Sequence, residues 1–76
     1  MKRNQTYRMP MALITIHLFE GIEANFLVKN KSYNNIKKYI STMFRWNLYE
    51  IEVSELGLYE YTLLKEQVIN LNHKID

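Results

Sequence analysis

Apolar and polar positions alternate along the first third of the chain, and from Met11 to Phe19 the period is two. Ala12, Ile14, Ile16 and Leu18 fall on one side, with Leu13, Thr15, His17 and Phe19 on the other, which predicts a strand with apolar residues on both faces. Gly21 marks a turn, and Ala24 to Lys29 reads as a second strand with Phe26 and Val28 on one side. A loop of Gly21, Ile22 and Glu23 joins the apolar rows on one face, setting Ile16 opposite Val28 and Leu18 opposite Phe26. A shorter Gly21-Ile22 turn would mix the two faces, and a one-residue slip inverts every side chain.

The period then changes. Ile36, Ile40, Met43 and Phe44 recur at i, i+4, i+7 and i+8 behind Ser32, a residue suited to capping a helix. Lys37, Lys38, Ser41, Thr42 and Arg45 lie off this stripe, so the exposed side of the predicted helix is polar and basic. Trp46 and Asn47 are expected to close it. From Leu48 the period returns to two, with Tyr49, Ile51 and Val53 opposed to Glu50 and Glu52. A loop at Glu55, Leu56 and Gly57 would pair Val53 with Tyr59 and Ile51 with Tyr61, gathering Glu50, Glu52, Glu60 and Thr62 on the other face. In the tail, Leu64, Val68, Leu71 and Ile75 fall at helical spacing, while Val68 to Leu71 also suits a short strand; a short helix is preferred.

These elements predict an α+β fold: a small antiparallel sheet in the order β-β-α-β-β, one main helix packed on one face, and a short C-terminal extension. Residues 1–76 form a single domain, with residues 1–9 as a flexible basic arm ending at Pro10. One helix covers one face only. Leu13, Phe19, Leu27, Leu48, Leu58 and Leu64 must therefore be covered by the tail, by a second copy in a homodimer, or by a partner.

Composition narrows the class. A chain of 76 residues is one domain that buries only about 60% of its unfolded surface. Without cysteine it has no disulfide framework, thiolate nucleophile or cysteine-based zinc site. The first apolar run is too short to span a bilayer as a helix, and Glu20 and Glu23 stand where a signal-peptide cleavage site would need small residues. A cytoplasmic protein of a bacterial host, with no membrane role, is the expectation. The abundance of Asn, Lys, Ile and Tyr suits an AT-rich bacterium or one of its phages.

The net charge of +2 conceals a split. Up to Trp46 there are eight basic residues against two acidic ones, and from Asn47 onward two against six, so one half is +6 and the other −4. Two candidate surfaces follow. Arg3, Arg8, Lys37, Lys38 and Arg45 would face an anionic partner or DNA or RNA through a salt-sensitive phosphate term. Glu50, Glu52 and Glu60 would face a basic groove normally occupied by nucleic acid.

Catalytic equipment is sparse. His17 and His73 have no metal-ligand neighbour at helical spacing, and the two glycines, Gly21 and Gly57, are each needed for a turn, which leaves none for a phosphate loop. Glu50, Glu52 and Glu60 read as a solvated strand face rather than a metal site. No catalytic residue, cofactor or metal is expected, and His17 would be the best residue of a small enzyme or ribonuclease toxin. Ten aromatics supply interface anchors instead. The expected function is that of a non-enzymatic binding protein, phage- or mobile-element-encoded, that inhibits a host protein or nucleoprotein by occluding its surface, as anti-defence proteins such as anti-CRISPR inhibitors do. The alternative is a small nucleic-acid-binding regulator using the basic arm and helix.

Overall fold

The computed structural model describes residues 7–75. Strand β1 (Arg8–Leu18) leads through a 3-10 turn (Phe19–Gly21) to β2 (Glu23–Ser32), helix α1 (Tyr33–Met43), β3 (Leu48–Glu55), helix α2 (Leu58–Leu64) and a two-residue strand β4 (Ile69–Asn70). The fold is α+β, with a four-stranded sheet in the order β3-β1-β2-β4. β1 pairs antiparallel with β2 and β3, whereas β4 runs parallel to β2. The sheet is therefore mixed rather than purely antiparallel.

The period-two pattern decides which side of β1 becomes core. Ala12, Ile14 and Ile16 are completely buried, together with Val28 of β2 and Ile36 and Ile40 of α1. Phe26, Tyr39, Phe44, Leu48, Ile51 and Val53 pack around them. Fully burying one of these isoleucines or Val28 contributes about 1.5–3 kcal/mol, so these residues, packed around Ala12, are the centre of the fold.

The first hairpin keeps the expected faces but not the expected register. Val28 lies opposite Ala12, Phe26 opposite Ile14, and Ala24 opposite Ile16, so each β2 residue meets a partner four positions earlier on β1 than expected. An even shift leaves every side chain on its predicted face. The turn consumes more chain than three residues, because Leu18 N–H donates to Ile22 O at 2.8 Å and both Glu20 and Gly21 adopt φ of 80°. Strand β1 also starts earlier than expected. Arg8 and Met9 pair with Ser32 and Lys31, and Met9 is buried, so the ordered fold takes in the end of the supposed arm.

Ser32 caps α1 as its position suggested, its Oγ accepting the Asn35 N–H at 3.2 Å. The helix stops at Met43, not at Trp46 or Asn47; Asn47 and Leu48 both donate to Phe44 O at 3.0 and 2.9 Å and turn the chain into β3. Met43 is consequently exposed, while Phe44 is half-buried.

The second hairpin does not form. Residues 58–64 are helix α2, although Tyr59, Tyr61 and Leu63 alternate as a strand would. Gly57 is the N-cap, and Glu60 Oε1 accepts its N–H at 2.8 Å, a local bond that favours turning inward over extending. Tyr61 faces the sheet and is buried. Leu27, also buried, lies on the sheet face opposite the main core and outside its cluster, so α2 covers part of that second face.

The tail is not the preferred short helix. β4 lies beside Phe26 and Leu27 of β2, Leu71 N–H donates to Leu27 O at 2.9 Å, and Asn72 Oδ1 accepts the Lys29 N–H at 2.6 Å. Asn70 Nδ2 donates to Tyr61 Oη at 2.9 Å. Leu71 and Ile75 then enter the main core. The tail thus wraps the β2 side of the sheet and completes the main core rather than covering the residues left off it, of which Phe19 and Leu58 remain exposed.

Candidate functional site

The face of the sheet opposite α1 is covered by α2 only in part. Along β1 its residues run Leu13, Thr15, His17, and the last of these sits at the uncovered end. His17 lies directly between Glu23 of β2 and Glu50 of β3, and Thr15 between Asn25 and Glu52. Strand register alone therefore assembles three carboxylates around one imidazole, since directly opposed residues lie about 4.5–5.5 Å apart at Cβ.

The imidazole is held from both sides. Nδ1 is 3.3 Å from Glu23 Oε2 and Nε2 is 3.3 Å from Glu52 Oε1. Nε2 is itself shielded from solvent and makes no hydrogen bond of good geometry. The carboxylates are more than half exposed, so this end of the face is wet and acidic. Beside them Thr15 Oγ1 donates to Asn25 Oδ1 at 2.9 Å.

An aromatic and aliphatic rim borders the acidic patch. The Phe19 and Tyr49 rings meet edge-on, with centroids 5.5 Å apart and planes at 67°, and Phe19 N–H donates to Asn47 O at 2.9 Å. Phe19, Ile22 and Tyr49 are all exposed, Tyr49 at 68%. Together with His17, Glu23 and Glu50 they line a shallow, open cleft. Exposed rings beside carboxylates can anchor a partner through apolar contact while the charges orient it.

Of the expected acidic trio, Glu50 and Glu52 are brought together and Glu60 is not. Glu60 belongs to α2 and caps that helix through Gly57. Glu23 takes its place, a residue whose role only the β1–β2 pairing reveals. His17, Glu50 and Glu52 offer ligand atoms all within 4.8 Å of one another, a spacing that would admit a divalent cation, and no other such group occurs among the described residues.

The basic residues are dispersed. Arg3 lies outside the described residues. Arg8 is in β1, where Nη1 donates to Asn30 O at 2.6 Å, so it is tied to the sheet rather than carried on an arm. Lys37 and Lys38 are exposed on α1. Lys37 Nζ sits 5.3 Å from the Tyr33 ring centroid, and the Arg45 guanidinium 5.8 Å from that of Trp46. Lys38 and Lys74 flank a second shallow cleft with Asn35, Tyr39 and Thr42. Lys37 and Lys38 ride on the helix layer, and Glu23, Glu50 and Glu52 lie across the sheet from it, while Lys29 sits over the Tyr61 ring of α2, 5.7 Å from its centroid.

Tyr7, next to β1, is the one described residue with a displaced titration. A hydrogen bond from its hydroxyl to Glu55, the charge of that carboxylate and slight desolvation raise its pKa above the ordinary 10.0.

Among the described residues no helix is long and apolar enough to cross a membrane. No protein-family model, curated protein or solved structure matches the chain.

Proposed function

We propose that this is a non-enzymatic binding protein that docks through the uncovered acidic half of its sheet onto a basic groove of a host protein or nucleoprotein, and inhibits it by occlusion. The observation that carries this reading is the convergence of Glu23, Glu50 and Glu52 from two strands beside exposed Phe19, Ile22 and Tyr49. Carboxylates on a rigid strand lattice can occupy phosphate positions in a groove built for nucleic acid, and flanking rings supply the apolar anchors. An anti-defence role of the anti-CRISPR kind, encoded by a phage or other mobile element and acting in the bacterial cytoplasm, fits such a surface, and the AT-rich codon character of the composition accords with that origin.

The second reading is a small nucleic-acid-binding regulator. It is favoured by the exposure of Lys37 and Lys38 on α1, with Lys74 and Arg45 as further cations.

A tagged pull-down from host-type lysate, with and without nuclease, tests both. A protein partner that survives nuclease, and is lost with Glu23→Lys, Glu50→Lys and Glu52→Lys but retained with Lys37→Ala, Lys38→Ala and Arg45→Ala, supports the inhibitor. Recovery that needs intact nucleic acid and the lysines supports the regulator.

A further inference from the structure

We infer that the outer edge of β3 accepts an extended segment of the partner as a fifth strand, and that this segment alternates basic with apolar residues. The inference rests on the proposed docking reading and specifies how the same surface is engaged.

Among the described residues, β3 stands at the end of the sheet with β1 on one side only. It is eight residues long, whereas the opposite edge, β4, has two. An exposed edge presents unpaired N–H and C=O groups, and proteins usually blunt it with charged side chains, lysine above all, with proline or with a bulge in mid-strand; the charges of β3 are Glu50, Glu52 and Glu55, which repel an acidic strand and admit a basic one. β3 (Leu48–Glu55) contains neither lysine nor proline, and its one irregularity lies at its first residue, between the His17 and Leu18 pairings. Backbone hydrogen bonds along such an edge supply affinity, and alternate side chains supply specificity.

The side chains specify the occupant. Glu50 and Glu52 point to the open acidic face, and Ile51 and Val53 to the core face, where they remain only partly buried. A strand laid alongside places its own alternate residues beside these two rows. Lysine or arginine then meets the glutamates, and valine or isoleucine extends the apolar row.

A second copy fits poorly at long overlap. Antiparallel self-pairing centred on Ile51 opposes Glu50 to Glu52 of the other copy twice, and centring on Glu50 or Glu52 opposes that residue to itself; only a shorter overlap, such as one centred on Val53, escapes like-charged pairs. Like charges directly opposite are destabilising, so charge complementarity selects a basic strand over a copy of β3. Exposed Tyr49 at the start of the strand joins this edge to the rim formed with Phe19.

The test uses the full chain and a fluorescent peptide alternating lysine and valine, with the same peptide methylated at its backbone nitrogens as control. Saturable binding is expected, with slowed amide exchange in Leu48–Glu55 and at least about tenfold weaker binding of the methylated peptide, the loss of two or more hydrogen bonds. Glu50→Lys with Glu52→Lys should abolish binding, and Glu50→Gln with Glu52→Gln should weaken it without altering the fold. Equal binding of the methylated peptide overturns edge pairing but leaves the acidic face as a docking site. Binding of neither peptide overturns the inference, while the pull-down still decides the reading beneath it. Self-association with protected β3 amides in the absence of peptide would identify a second copy as the occupant and also overturn it.

Discussion

The imidazole of His17 reaches Glu52, with Nε2 3.3 Å from Oε1, although its direct cross-strand neighbour on β3 is Glu50. With Nδ1 beside Glu23, one side chain of the central strand links the strands on both sides of it. His17→Ala would leave Glu23, Glu50 and Glu52 facing one another without an intervening ring. Because the carboxylates are largely exposed, the expected loss of stability is below about 1 kcal/mol. It should be largest at low ionic strength. Urea midpoints of both proteins at low and high salt measure this; a loss that ignores salt would mean His17 acts by packing rather than charge.

The centre of the fold is far less tolerant. Ile14→Ala or Ile40→Ala removes a side chain with no exposure and should cost about 2–5 kcal/mol. For a domain of this size that is a large share of total stability. Trp46→Ala, at a residue 83% exposed, should change stability by about 0.5 kcal/mol or less. Denaturant unfolding of the three variants would rank them, and a Trp46 loss as large as that of Ile14 would contradict the packing described.

In the first turn, two adjacent residues share φ of 80°. Gly21→Ala meets no atom within 4 Å, so its cost is purely conformational and is expected near 1 kcal/mol. Glu20→Gly should act in the opposite direction by relieving a left-handed non-glycine residue. Thermal unfolding that moves the two variants the same way would refute this account of the turn.

Glu60 separates capping from binding. Glu60→Ala removes the acceptor for the Gly57 N–H and should cost about 0.5–2 kcal/mol, as helix caps do, while leaving partner capture unchanged. Glu50→Ala with Glu52→Ala should do the reverse. Loss of capture with Glu60→Ala at a temperature where the variant is folded would return Glu60 to the binding surface.

Tyr7 predicts an effect at high pH. Its folded pKa is raised by the Glu55 hydrogen bond above the ordinary 10.0, so the neutral hydroxyl contributes stability fully below pH 10. That contribution is lost as pH climbs through the folded value. Ultraviolet titration should show one phenol ionising late, and Glu55→Gln should bring it back toward the others. Superimposable curves would remove the bond.

What could be read from the sequence was whatever depends on local period. The buried row Ala12, Ile14, Ile16, the cap at Ser32 and the pair Ile36 and Ile40 all follow from spacing over a few residues, and the structure has them. Alternation over Tyr59, Tyr61 and Leu63 misleads because a helix of seven residues is too short for its period to outweigh a chance period of two. The choice there belongs to Gly57, Glu60 and the need of Leu27 for cover. Glu23 stayed hidden for a different reason: its place beside His17 depends on how many residues the turn consumes. Two of the three carboxylates of the acidic surface, Glu50 and Glu52, were thus visible, and the third waited on register.

Lys37 and Lys38 on the helix layer and Glu23, Glu50 and Glu52 across the sheet set two patches of opposite sign on opposite sides of a molecule whose net charge is only +2. Near a polyelectrolyte it experiences a torque before it makes any contact, turning one side toward the surface as it approaches. At physiological salt that alignment begins only within about 8 Å, so the protein would arrive at a charged partner already oriented for the last step of its approach. On ion-exchange media of either sign at low salt it would be retained, by opposite sides.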